Sequence, residues 1–353
     1  MRIAYVCYWP AFRQDGVSAK LGTQVATWRA LGETVQLYCL TPEPDDGESA
    51  VLDGRLFTFG SFAERPLATA RLMRAALSMR PDVLYCRYDL FIPPIAVLLR
   101  RSRSAIELNG NETDHSGFGS LPVRLYSEMN WRTALASATG VLCVSRDLAS
   151  RLPAEKHTEV IPNTVDVESR PVLAPANSPR PRLVFLTSVT TPVQGIDKLL
   201  AMAHALPEFD FVLVGVADED LPGPAPENVS LHARMRIDEY EKVLASCDVG
   251  IGPLALHRNG LKDTSSLKVA EYLTYGLPTV VGYPETGFIG SDPWFMLSLP
   301  NTEENVSSSI ERIRSFVRSA QGRRVPHEEV VDKIDARHLE RRRLAFLASL
   351  PGR

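Results

Sequence analysis

The sequence predicts an α/β protein made of two Rossmann-like parallel-sheet domains facing each other across a cleft, followed by a C-terminal helix. Three observations predict it. The chain of 353 residues is too long for one simple α/β core and comfortable for two. Short apolar runs alternate with amphipathic helical stretches, which is the βαβ unit of an open parallel sheet. The alternation also restarts once, after a stretch at 171–181 rich in Pro, Ala, Asn and Ser.

In the first half, the candidate strands are residues 3–7, 35–40, 56–59, 83–86, 104–108 and 140–144. Several are apolar at consecutive positions, as strands buried on both faces require. Helical patterns lie at 20–31, 67–79, 92–99 and 123–136. In the second half, strands are read at 182–186, 211–216, 229–231, 248–253 and 279–281, and helices at 196–205, 238–245 and 267–275. The last helical stretch, 335–350, carries Arg337, His338, Arg341, Arg342 and Arg343 on nearly all sides. The boundaries drawn are 1–168, a linker at 169–180, 181–333, and a terminal helix at 334–353 that packs back on the first domain.

Composition narrows the class. Hydrophobic residues make up 44% and charged residues 23%, with a formal net charge of -3. That is an ordinary globular balance and argues against nucleic acid as a partner. No apolar run is long enough to span a bilayer. The N-terminal residues read as a first strand and not as a secretory signal, so a cytoplasmic protein is expected. The five cysteines, Cys7, Cys39, Cys86, Cys143 and Cys247, each sit in an apolar run and read as small buried hydrophobes. No metal-ligand cluster or cofactor fingerprint is found. Gly250-Ile251-Gly252-Pro253-Leu254-Ala255 matches a dinucleotide fingerprint formally, but its glycines lie in a strand and no helix opens there.

The most informative stretch runs from Arg258 to Val281. A polar loop ends in Ser265 and Ser266, both good N-cap residues. A helix follows, closed by Gly276 and Pro278. Its first turn offers unbonded N–H groups and the positive end of a dipole. Lys268 adds a formal charge there, and together these suit a diphosphate. Glu271, on the same helix, suits the hydroxyls of a ribose. Asp263 precedes Glu271 by seven intervening residues and can reach toward a sugar beyond the phosphate.

This arrangement of Asp263, Glu271 and a helix closed by Gly-x-Pro resembles the donor-binding motif of retaining glycosyltransferases of the GT-B fold, family 4. The family usually has Glu where this chain has Asp263. The resemblance implies that the second domain binds a nucleoside diphosphate sugar and the first an acceptor. It places Ser265, Ser266 and Leu267 on the diphosphate, Glu271 on the ribose and Asp263 on the transferred sugar. Residues 185–197 resemble the first loop and helix of the donor domain, with Ser188 and Gln194 where many members carry Arg and Lys. Ile161-Pro162-Asn163-Thr164-Val165-Asp166 resembles the segment leading to the linker. Gly16 falls in the Gly-containing loop below the donor, and its helix carries Lys20, Gln24 and Trp28. Asn109 falls where many members have a sugar-facing His, with His115 nearby; its other reading is a turn residue.

Arg87 follows a strand, where it meets phosphate, meets acceptor, or pairs with a structural carboxylate. Arg100, Arg101 and Arg103 form a basic run at a helix end. They complement the helix dipole or, with Arg71 and Arg74, touch an anionic membrane surface; no hydrophobic anchor is visible. The implied reaction is metal-independent sugar transfer, with retention, to a glycan or lipid-linked acceptor. It would serve cell-surface polysaccharide or glycoconjugate synthesis at the inner face of a membrane. An epimerase on the same fold and an inactive sugar-nucleotide-binding subunit are the alternatives.

Overall fold

The computed structural model describes residues 1–12, 15–44, 49–61, 63–88, 95–110 and 121–352, without the side chains of Val123 and Asp238. The chain divides into two compact units, Met1–Ile161 with Ala336–Arg353, and Pro162–Asp335.

The first unit runs β1 (Arg2–Tyr8), α1 (Gly16–Ala30), β2 (Thr34–Pro42), β3 (Arg55–Phe59), α2 (Arg65–Ser78), β4 (Val83–Arg87), α3 (Ile95–Leu99), β5 (Ser104–Leu108), α4 (Leu121–Ser137), β6 (Gly140–Cys143), α5 (Arg146–Ser150) and β7 (Thr158–Val160). Its seven strands lie in the order β3-β2-β1-β4-β5-β6-β7, and every pair is parallel. Residues 3–7 of β1 are fully buried, because helices cover both faces of such a sheet. Strand order reverses between β1 and β4, so the loops after these strands border a crevice at their carboxyl ends.

The second unit runs β8 (Arg182–Leu186), α6 (Ile196–Ala205), β9 (Asp210–Val214), β10 (Val229–His232), α7 (Ile237–Ala245), β11 (Val249–Ile251), α8 (Leu267–Thr274), β12 (Thr279–Val281), β13 (Met296–Ser298), α9 (Ile310–Ala320) and α10 (Val331–Ile334). The sheet order is β10-β9-β8-β11-β12-β13. All pairs are again parallel. Here the reversal falls between β8 and β11. The short β7, β13, α5 and α10, and the longer α9, go beyond the sequence reading. Part of the helix read at 92–99, residues 92–94, lies outside the described residues, as does His115.

The glycines in and directly after β11 have a packing reason. A Cβ on Gly250 would lie 2.4 Å from the Tyr272 ring, and one on Gly252 would lie 2.8 Å from Val281 Cγ1. They let α8 settle onto the strand. At the far end of α8, Gly276 has φ +80°, the left-handed conformation that terminates helices.

The chain returns to the first unit as α11 (Ala336–Ser349). Of the basic residues read on nearly all sides of this helix, Arg343 is fully buried. Its Nη1 donates to Glu107 Oε1 at 3.0 Å and to the Tyr85 hydroxyl at 3.1 Å. Its Nε donates to Glu340 Oε2 at 2.9 Å. That carboxylate oxygen also accepts from Trp28 Nε1 (2.7 Å) and Gln24 Nε2 (3.2 Å) of α1. A buried charge network thus clasps α11 to α1 and β5. All five cysteines are buried thiols outside any disulfide. Among the described residues no helix is long and apolar enough to cross a membrane.

Candidate functional site

The loops after β8 and β11 border the crevice of the second unit, and residues from both meet there. Gln194 ends a short 3-10 turn, Pro192–Gln194, closed by Gly195 at φ +70°. Lys268, in the first turn of α8, donates from Nζ to Gln194 Oε1 at 2.8 Å. The ammonium also lies 3.7 Å from the centroid of the Phe185 ring. No carboxylate pairs with it among the described residues. Burial alone pushes its pKa well below the usual lysine value. Arg258, earlier in the same loop, differs: Asp197 and Glu303 both pair with it.

Among the described residues, the N–H groups of Leu267, Lys268 and Val269 have no hydrogen-bond acceptor, as expected of a helix start. Ser266 is the N-cap residue by position, but no serine side chain bonds the helix N–H groups among the described residues. The Ser265 hydroxyl accepts the Asn163 N–H at 3.0 Å, and the Ser265 carbonyl accepts from Asn163 Nδ2 at 2.6 Å. The Ser266 N–H is engaged by Glu285 Oε2 at 3.2 Å, which also accepts from the Tyr283 hydroxyl at 3.1 Å. Burial pushes the Glu285 carboxyl up to about 8, although the Ser266 amide, Tyr283 and Ser265 oppose the shift. Asp263 is buried, and the Thr286 hydroxyl donates to its Oδ2 at 2.9 Å. A parallel bridge between Thr264 and Glu285 fixes this loop.

Glu271 sits one turn beyond Lys268 on α8. Burial raises its pKa, and the Tyr240 hydroxyl of α7, which donates to Glu271 Oε1, opposes the rise. Helix α8 itself is pinned by Tyr272, whose hydroxyl accepts the Leu186 N–H at 2.7 Å, at the last residue of β8. Ser188 is exposed on the loop after β8.

In the first unit, Gly16 opens α1, and Asp15 caps it by accepting the N–H groups of Val17 (3.1 Å) and Ser18 (2.9 Å). Asn109 follows β5, and its Oδ1 accepts from Lys20 Nζ at 2.6 Å. The Arg87 guanidinium lies 5.6 Å from the centroid of the Trp9 ring and makes no ion pair among the described residues. Arg100 Nε donates to Ser137 Oγ at 2.9 Å. Arg103 bonds a different helix end from the one that precedes it: its Nη2 donates to the carbonyls of Leu347 (3.3 Å) and Ala348 (2.6 Å) at the end of α11. Arg100 and Arg101 are exposed. A feature absent from the sequence reading is an apolar stripe on α4. Leu121, Leu125 and Met129 are 66%, 62% and 61% exposed, and their spacing places them on one helix face.

Sequence reasoning missed Glu285, Tyr240, Asn163 and Thr286 as members of the second-unit group. Only their positions after strands or on a neighbouring helix could have pointed to them.

Residues 15–164 match the model of the glycosyl transferase 4-like domain. Among solved structures, sucrose-phosphate synthase from Thermosynechococcus elongatus aligns with a TM-score of 0.70 and 14% identity, over 99% of this chain and 100% of that one. HepE of Anabaena, in complex with UDP-glucose, gives 0.63 and 15% over 98% and 100%. The lipopolysaccharide outer core galactosyltransferase WaaB, in its apo form, gives 0.65 and 10% over 99% and 100%. No curated protein matches this chain in sequence. The fold is that of the GT-B glycosyltransferases.

The unpaired ammonium gives a two-sided prediction. A lysine whose pKa is lower folded than unfolded binds fewer protons when folded, so its contribution to stability worsens as pH falls through that window. Lys268→Met should therefore raise the thermal unfolding midpoint at pH 7. Under the donor-site reading that the sequence resemblance implies, the same change should also weaken UDP binding by about 1.5–3 kcal/mol, the scale of a hydrogen bond to a charged group. Calorimetry and thermal melts on one preparation check both signs.

Proposed function

We propose that the protein is a retaining, hexosyltransferase-like enzyme that moves a sugar from a nucleoside diphosphate sugar to an acceptor hydroxyl. The observation that carries this is the half-buried Lys268, whose ammonium has no carboxylate partner among the described residues, beside three N–H groups without an acceptor at the start of α8. Such a group matches a departing diphosphate by preorganised charge and dipoles. Gln194 holds the ammonium in place, and Glu271 accepts from ribose hydroxyls. Asp263, fixed by Thr286, and Asn109 orient the sugar. Gly16, Ser188, Ser265, Ser266 and Leu267 complete the donor side.

In the step proposed, the bond from the anomeric carbon to the diphosphate oxygen breaks, and a bond to the acceptor oxygen forms on the same face. The acceptor proton goes to the departing phosphate oxygen, so no separate protein base is needed. The helix terminus and Lys268 balance the diphosphate charge without a metal. HepE bound to UDP-glucose makes a uridine sugar nucleotide the first donor to test.

The assay uses purified protein, UDP-sugars and a lipid-extract acceptor in excess EDTA. Glycosylated product and UDP release are expected. Epimerised donor without acceptor, or neither product, indicates the epimerase or the inactive subunit, and turnover that needs added Mg²⁺ or Mn²⁺ contradicts the metal-independent reading. Glu271→Ala should cost about 1.5–3 kcal/mol in UDP affinity by loss of charge-assisted hydrogen bonds; an unchanged affinity contradicts the ribose role.

The same reading places the enzyme in the cytoplasm, docked at the inner face of an anionic membrane, building a glycan or lipid-linked product rather than acting on nucleic acid. Support comes from the α4 stripe and the basic residues around it. Arg124 and Arg132 on α4, and Arg100 and Arg101 at the end of the adjoining α3, are exposed, while Arg71 and Arg74 are exposed on α2. Each basic residue near an anionic surface contributes about 1 kcal/mol, and the leucines add apolar insertion. Sedimentation with anionic vesicles at low salt should carry the protein down, more weakly for Leu121→Ser/Leu125→Ser. Binding that ignores lipid charge, or none at all, contradicts the docking.

A further inference from the structure

The first unit holds a buried ionic group that the reaction above does not use. Lys20 of α1 is 2% exposed, deep in the face that α1 turns to the sheet. Its Nζ donates to Glu107 Oε1 at 3.0 Å and to Asn109 Oδ1 at 2.6 Å. Glu107 Oε1 accepts in turn from Arg343 at 3.0 Å. Burial opposes the charge of Glu107, but the Lys20 ammonium and the guanidinium groups of Arg343 and Arg87 hold its carboxyl down at about 2. A lone buried lysine facing one carboxylate would be a structural ion pair. The second partner, Asn109, is what sets this one apart.

We propose that Lys20 is a positioning residue for sugar transfer, acting through Asn109. An ammonium group only donates, so it fixes the carboxamide of Asn109 with Oδ1 turned inward. The Nδ2 group is thereby set on the opposite side of the carboxamide, as a hydrogen-bond donor. The substrate group it suits is an acceptor: a sugar hydroxyl oxygen or a phosphate oxygen, not the hydrogen of a hydroxyl. This inference rests on the reading that Asn109 meets the transferred sugar. The anchor of the arrangement is α11, through Arg343 and Glu340. The C-terminal helix therefore contributes to the geometry at the end of β5 and not only to folding.

The groups facing Lys20 are Glu107 and Asn109 from β5 and its end, Arg87 from β4 and Arg343 from α11. Burial lowers the Lys20 pKa to about 8; Arg87 and Arg343 add to this, and Glu107 opposes it. Above that pH the amine is neutral and can accept as well as donate, so it no longer dictates which way the carboxamide faces. Turnover through this arrangement falls as pH rises through about 8.

Two measurements test the proposal on the full chain. In ¹⁵N NMR, the Asn109 side-chain amide, assigned by its loss in Asn109→Ala, should shift between pH 7 and 9 with a midpoint near 8. In Lys20→Met that shift should vanish. An amide that does not move, or that moves equally in Lys20→Met, overturns the proposal whatever the enzyme's substrate. In steady-state UDP release from UDP-glucose, Lys20→Met should lower kcat at least tenfold with UDP affinity unchanged, and Lys20→Arg should keep turnover and lose the decline near pH 8. Asn109→Asp keeps an acceptor for Lys20 and removes the donor, so it should fold and lose turnover. Loss in Asn109→Ala with full activity in Lys20→Met overturns the positioning role alone. Full activity in Asn109→Ala overturns the underlying assignment of Asn109 to the sugar.

Discussion

The close seating of α8 on β11 is the constraint from which the candidate donor site follows. With no side chain at Gly250 the Tyr272 ring can lie against the strand, since a Cβ there would fall 2.4 Å away. The Tyr272 hydroxyl then reaches the backbone of Leu186, so one aromatic side chain locks α8 to two neighbouring strands. Once the helix is fixed, the directions of its first N–H groups and of Lys268 are fixed too. The crevice between β8 and β11 receives the positive end of the helix because sheet order reverses there. A larger residue at Gly250 would tilt the helix, and the ammonium, the amides and Glu271 would move together.

The two units treat buried charge in opposite ways. In the first, two cations and two carboxylates, Lys20, Arg343, Glu107 and Glu340, compensate one another with 0% exposed side chains. Removing one member of such a set costs about 3–5 kcal/mol, because the partner is left buried and uncompensated. In the second, the partners of Lys268 among the described residues are a carboxamide and an aromatic face. A charge left without a counter-charge in a folded protein lowers stability. Sites that bind a charged ligand tolerate that cost, since the ligand completes the pair. Glu285 presents the opposite charge next to the same helix end. Burial holds it near 8, so over the neutral range it adds little negative charge where a diphosphate would sit.

Much of the fold was legible in the sequence because parallel strands buried on both faces are short, apolar and nearly continuous. The strand at 104–108 and the helix at 196–205 were read with their observed limits. Short elements such as β7 and β13, of three residues each, carry too little pattern to stand out from loops. Helix α9 is longer, and its polar face and single apolar row hid it among charged residues. In the candidate site, Lys268 and Gln194 were legible one at a time, as a charge near a helix start and a polar residue after a strand. Their contact was not, because it joins residues 74 positions apart. The engagement of Ser266 by Glu285 was hidden for the same reason. Caps are read from the residue at the helix start, and here the partner comes from beyond the next strand. Arg343 shows the limit of charge patterning: on sequence it is one of several basic residues spread around the terminal helix, and only its position opposite Glu107 makes it a core residue.

The central claim is that Lys268 is a cation awaiting a diphosphate. The direct measurement is an NMR titration of the Lys268 Nζ, assigned by its loss in the Met variant, with and without saturating UDP. Free protein should show a pKa well below that of an ordinary lysine, as burial without a counter-charge requires. Bound UDP should raise it sharply, because an anion beside the ammonium favours the charged form. A Lys268 titration that is the same with and without bound UDP would contradict the account.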